Sequence, residues 1–116
     1  MASGTNVSFA SERSVPVTVL IVDDEDTTRN LCREVVSESG LRTKLASTTE
    51  QALDILDQSA VDIVITDLRV PELGGIELLK RVKQTYPQAA VMVLTQYGTI
   101  ESAVEATRMG AVDYVT

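Results

Sequence analysis

A single α/β domain built on a buried parallel sheet is predicted by three features of the chain. Strand-like and helix-like segments alternate strictly, the strands are unbroken aliphatic runs, and aromatic residues make up only 3% of the sequence. Parallel sheets covered on both faces read as such Val-, Ile- and Leu-rich runs. Strict alternation implies right-handed crossovers with helices on both sides of the sheet, a doubly wound arrangement. At 116 residues there is room for one domain and one core.

The elements follow in order. Met1 to about Pro16 is rich in Ser and lacks a basic segment followed by an apolar core, so it reads as a disordered leader and not a signal peptide. Val17–Val22 is the first strand, closed by Asp23-Asp24. A helix from about Thr27 to Ser39 has Asp26 or Thr27 as its cap and Gly40 as its stop. Arg42–Ala46 alternates polar and apolar residues, as an edge strand does. Thr48-Thr49-Glu50-Gln51 opens the second helix with a capping-box pattern, and Ala52, Leu53 and Leu56 form its inward face.

Asp62–Thr66 is the third strand, and its exit loop Leu68–Gly75 leads to a helix with Ile76, Leu79 and Val82 on one side. That helix ends at Tyr86-Pro87, because the residue before proline is pushed out of helical geometry. Ala90–Leu94 is the fourth strand, Thr99–Met109 a helix stopped by Gly110, and Val112–Val115 the last strand. A doubly wound sheet wants a covering helix after its final strand. None is written here, so the chain is expected to be C-terminally truncated, with residues 1–16 as leader and 17–116 as the domain.

Composition narrows the function classes. Net charge is −7, which argues against direct binding to nucleic acid or anionic membrane by this domain. No apolar stretch approaches a membrane span. The single cysteine, Cys32, cannot form an internal disulfide and reads as a small core or boundary residue, which is compatible with the cytoplasm. Histidine is absent, which removes imidazole metal sites, Ser-His or Cys-His catalysis and any phosphohistidine on the chain itself.

The chemistry-bearing residues lie at strand ends. Asp23-Asp24 close the first strand, Asp67 the third, and Thr95 the fourth. In open α/β sheets ligands bind beyond the carboxyl ends of the strands, so these side chains can converge on one crevice. Carboxylates gathered there repel strongly. The pattern therefore points to a hard cation, and the oxygen-only donor set favours Mg²⁺ over zinc. One aspartate could then act as a nucleophile toward phosphorus. Helix capping competes with metal binding for Asp23-Asp24, and Gly74-Gly75 read as turn chemistry.

Leu20-Ile21-Val22-Asp23-Asp24-Glu25, Asp67-Leu68-Arg69-Val70-Pro71 with Gly75, Leu94-Thr95 and Gly110-Ala111-Val112-Asp113-Tyr114-Val115 together resemble the receiver domain of bacterial response regulators. The resemblance runs from about Val17 to Thr116 and implies a flavodoxin-like fold with strand order 2-1-3-4-5. It implies that Asp67 is the phosphoacceptor, that Asp24 binds the metal directly and that Asp23 acts through water. The backbone carbonyl of Arg69 would complete the protein's share of the Mg²⁺ shell. Thr95 would contact the phosphoryl group and Tyr114 would be the switch aromatic. Val70 stands where the family usually has methionine and Gly74 where aspartate often precedes the glycine. The family lysine would fall immediately after Thr116.

The expected function is thus a phosphoacceptor switch, not an enzyme in the ordinary sense, served by a partner histidine kinase and paired as a homodimer. The segment Leu94–Ala106 resembles receivers of enhancer-binding transcription activators of the nitrogen-regulation type, which implies transcription control through an output domain. Two other classes stand beside it: a receiver-like module used only for pairing, and a flavin or nucleotide carrier. The acidic strand ends disfavour the latter.

Overall fold

The computed structural model describes residues 16–116, so the expected leader, except Pro16, lies outside the described residues. The elements are β1 (Thr18–Val22), α1 (Asp26–Glu38), β2 (Arg42–Ala46), α2 (Thr49–Gln58), β3 (Ile63–Thr66), α3 (Gly75–Thr85), β4 (Ala90–Leu94), α4 (Ile100–Arg108) and β5 (Asp113–Val115). All five strands are parallel, in the order β2-β1-β3-β4-β5. The alternating strand Arg42–Ala46 is an edge, as its pattern predicts.

Alternation along the strands decides which side chains meet which helices. Leu20, Val22, Val64, Val91 and Val93 point to one face and pack with Ala52 and Leu56 of α2, Leu78, Leu79 and Val82 of α3, and Ala106 of α4. Burying one such aliphatic side chain is worth about 1.5–3 kcal/mol, so this face carries most of the fold's stability. Val19 and Ile21 point the other way and are also buried. Here α1 is the covering helix, lying against β1 and β2. None of its residues is fully buried: Cys32 is half-buried, while Leu31 and Val35 are 57% and 65% exposed.

Two caps differ from their sequence signatures. Glu25 occupies the N-cap of α1, in place of Asp26 or Thr27, and makes no side-chain capping bond. Asp26 pairs with Arg29, and Glu25 takes the Thr28 hydroxyl through its carboxylate. At α2 only half of the capping box forms. Thr48 Oγ1 accepts the Gln51 N–H at 3.1 Å, but Gln51 Oε1 takes the N–H of Ser47 at 2.8 Å. Asp62 leaves β3 because its N–H bonds the Thr18 carbonyl (2.9 Å) while its carboxylate accepts the Thr18 N–H (2.9 Å).

The turn after β3 is held from both sides. Gly75 N–H donates to the Leu68 carbonyl at 2.9 Å, bringing the start of α3 flat against the backbone of Asp67 and Leu68. A Cβ at Gly75 would run into the Asp67 carbonyl. Thr49, fully buried at the start of α2, accepts the N–H groups of Glu72 and Leu73 on its hydroxyl, each at 3.1 Å. Gly75→Ala is expected to lower stability by about 1–3 kcal/mol through overpacking against backbone that has nowhere to move. Urea unfolding would show this as a lower midpoint at unchanged slope.

Candidate functional site

The ladder places the acidic residues before any side chain is considered. Val22 is in register with Thr66, so the residues that follow them, Asp23 and Asp67, emerge side by side. The ladder continues one step further: Asp67 N–H donates to the Val22 carbonyl (3.1 Å) and Asp23 N–H to the Ala46 carbonyl (3.0 Å). Thr95 follows β4 in the same way, its N–H donating to the Val115 carbonyl (3.0 Å). Their side chains open into one cleft of about 530 Å³, lined also by Asp24, Glu25, Gln96 and Tyr97. Among the described residues, none that lines it is basic.

Asp23, Asp24 and Asp67 each offer a carboxylate oxygen within 4.8 Å of the others. Asp23 and Asp67 are 8% and 6% exposed, while Asp24 is open to solvent. Asp23 Oδ1 accepts the Glu25 N–H (2.9 Å), and Asp67 Oδ1 accepts the N–H of Leu68 (2.9 Å). Burial pushes the Asp23 carboxyl above its ordinary range. The Glu25 N–H opposes that rise, and the charges of Asp67, Asp24 and Glu25 add to it. Oxygen-only donors at this spacing, with one ligand open to water, fit Mg²⁺ or Ca²⁺ and do not fit the nitrogen or sulfur sites that zinc takes.

Of the other residues singled out by sequence, Thr95 is buried at the cleft and its Oγ1 accepts the Tyr97 N–H at 3.0 Å. Tyr114 lies half-buried at the far edge of the sheet, its hydroxyl bonded to Ser102 Oγ. The Arg69 side chain does not line the cleft. Its exposed guanidinium lies over the ring of Tyr97, 4.1 Å from the centroid, joining the β3–α3 and β4–α4 loops at the rim.

Sequence reasoning missed Arg29, whose Nη1 donates to the Asp23 carbonyl at 2.8 Å and so anchors the acidic turn to α1. A side chain that serves a backbone carbonyl leaves no spacing to read. Ser102 was missed for another reason. It stands at the third position of α4, where the capping-box signature calls for Glu or Gln.

Comparison with known proteins agrees with this geometry. Residues 19–116 match the family described as the response regulator receiver domain. An NtrX-like response regulator of Rickettsia bellii is 41% identical over 101 residues, covering 85% of this chain and 21% of that protein. The regulatory protein AtoC of Escherichia coli is 38% identical over 97 residues, covering 84% and 21%. The chain therefore spans about a fifth of the length of these curated relatives. Among solved structures, the beryllofluoride-activated NtrC4 receiver domain dimer superposes with a TM-score of 0.80 at 26% identity, covering 84% of this chain and 81% of that one.

The raised Asp23 pKa has a measurable consequence. In metal-free solution its contribution to stability is fully present below the ordinary value of 3.8 and is lost as pH rises through the raised folded value. Asp23→Asn removes that loss. The variant is expected to exceed the parent in stability at neutral pH, with the difference shrinking as pH falls toward 3.8. Chemical unfolding of both proteins across that pH range checks it.

Proposed function

Since the chain belongs to the response regulator receiver domain family, we propose that it is the phosphoaccepting switch of a two-component system. A partner histidine kinase supplies the phosphoryl group, and Asp67 receives it in a Mg²⁺-dependent reaction. The observation that carries this reading is the convergence of Asp23, Asp24 and Asp67 within 4.8 Å in one cleft. In this reading Asp24, the exposed member, binds the ion directly, Asp23 acts through water, and the Arg69 carbonyl and Asp67 complete the protein's ligands. A divalent ion held there offsets the mutual repulsion and screens an incoming phosphoryl group.

Asp67 is fit for the acceptor role because its backbone is locked and one oxygen is occupied. Oδ1 is engaged by Leu68 N–H, so the other oxygen is left to attack phosphorus while the donor's bond to phosphorus breaks. Positioning and charge neutralisation then do most of the work. The domain catalyses only its own phosphorylation and dephosphorylation. Thr95 would leave the Tyr97 N–H for the phosphoryl oxygen, and Tyr114 would follow inward, a shift between two populations of packing.

The output assigned by this reading is transcription control through a further domain, in keeping with the fraction of the relatives' length that this chain covers. Homodimerisation is the natural readout, since the similar NtrC4 receiver is described as a dimer. Among the described residues no helix is long and apolar enough to cross a membrane, and we place the protein in the cytoplasm beside its kinase.

Incubation of the complete product of the gene with acetyl phosphate and Mg²⁺ tests the reading by intact mass. A single phosphoryl adduct is expected, absent with a chelator and absent in Asp67→Asn. An unmodified parent would instead favour a receiver used for pairing alone.

A further inference from the structure

We infer that Ser102 is a positioning residue that holds Tyr114 in its half-buried place and ties that rotamer to the first turn of α4. The inference rests on the proposed function only in treating Tyr114 as a switch. The contacts themselves stand apart from phosphoryl chemistry.

The argument begins with the valences of one hydroxyl. Ser102 Oγ donates to the Thr99 carbonyl at 3.0 Å and accepts the Thr99 N–H at 2.9 Å. A serine hydroxyl has one proton and two lone pairs, and the Thr99 hydroxyl, 3.2 Å from Ser102 Oγ, competes with the Tyr114 hydroxyl for what is left. The Tyr114 hydroxyl bonds Ser102 Oγ, and either oxygen can be the donor. Thr99 Oγ1 meanwhile accepts the Ser102 N–H at 3.0 Å, closing the capping box. The Ser102 hydroxyl is thus shared between the Thr99 cap and Tyr114, and the contact facing outward from the helix reads where Tyr114 is.

A second contact limits where that phenol can lie. Gly98 presents bare backbone to it, and a Cβ there would fall 2.6 Å from the Tyr114 hydroxyl oxygen. Little else restrains α4 at this end. Among its residues only Ala106 is fully buried, and Ile100 in the first turn is 84% exposed. A side-chain cap typically biases a helix end about fivefold. For so lightly packed a helix that is a large share of the restraint, so an outward Tyr114 leaves the first turn of α4 looser.

Amide hydrogen exchange on the whole metal-free chain tests this, read at Ser102 and Ala103 with the amides of α2 as the reference for global opening. Tyr114→Phe keeps the ring but removes the hydroxyl. Exchange at both amides is expected to rise about three- to tenfold relative to α2. Gly98→Ala, which displaces the phenol without touching Ser102, should do the same. Ser102→Ala should also raise exchange and move the Tyr114 ring outward in its side-chain NMR couplings, and Ser102→Thr should restore the parent behaviour. In the Ser102→Ala, Tyr114→Phe double variant the effect should be no larger than that of Ser102→Ala alone.

Unchanged exchange at Ser102 and Ala103 in both Tyr114→Phe and Gly98→Ala would overturn the inference, as would effects that multiply in the double variant. The two Ser102-independent variants keep it decidable if Ser102→Ala fails to fold. A gene product that takes no phosphoryl group would remove the switch role while leaving this coupling to stand or fall on exchange alone.

Discussion

Three carboxylates share a cleft in which, among the described residues, no cationic side chain lines the walls. At an effective dielectric near 20, two unit charges 4.8 Å apart repel by about 3 kcal/mol, a sizeable part of the 5–15 kcal/mol that keeps a domain folded. The raised Asp23 pKa is the same conflict seen in a titration. A fold that tolerates this must hold the acids by their backbones, because their side chains push apart. The parallel ladder extends one residue past β1 and β3 for that reason, and Arg29 and Gly75 clamp the two acidic turns from behind.

The back of the site is thus rigid and its rim is not. Asp23 and Asp67 rise from strands whose neighbours are fully buried. Thr95 has a fixed backbone but a hydroxyl engaged only by a loop amide. The Arg69–Tyr97 stack joins two loops, and the Ser102–Tyr114 bond joins the lightly packed α4 to an edge strand. A charge change at Asp67 meets its least resistance along this rim. That is where the proposed switch residues lie, and the reason a local electrostatic event could be read at α4.

How much of this was legible follows from where each signal is stored. The strand ends, both glycine stops and the acidic residues at the strand ends were readable because each depends on a residue and its near neighbours, whereas the strand order came only from the resemblance to a family. Val22-Asp23-Asp24 announces a strand end wherever it folds, and Gly40 and Gly110 adopt the positive φ expected of helix stops. Contacts set by two distant segments were not readable. Thr49 looked like part of a cap and proved to brace the β3–α3 loop. Arg29 serves a carbonyl, and Ser102 stands where a different residue type marks the motif. The α1 cap lies one residue before Asp26 and two before Thr27, because Glu25, Asp26 and Thr27 are near-equivalent locally and Asp26 is taken up by its pairing with Arg29.

The claim beneath all of this is that the gathered acids form a divalent cation site. Calorimetric titration of the metal-free chain with Mg²⁺ measures it directly. One saturable site per chain is predicted, weakened about tenfold or more by Asp24→Asn and unchanged by substitution of the exposed Asp113 far along β5. Absence of saturable binding, or equal affinity in parent and Asp24→Asn, would contradict the account.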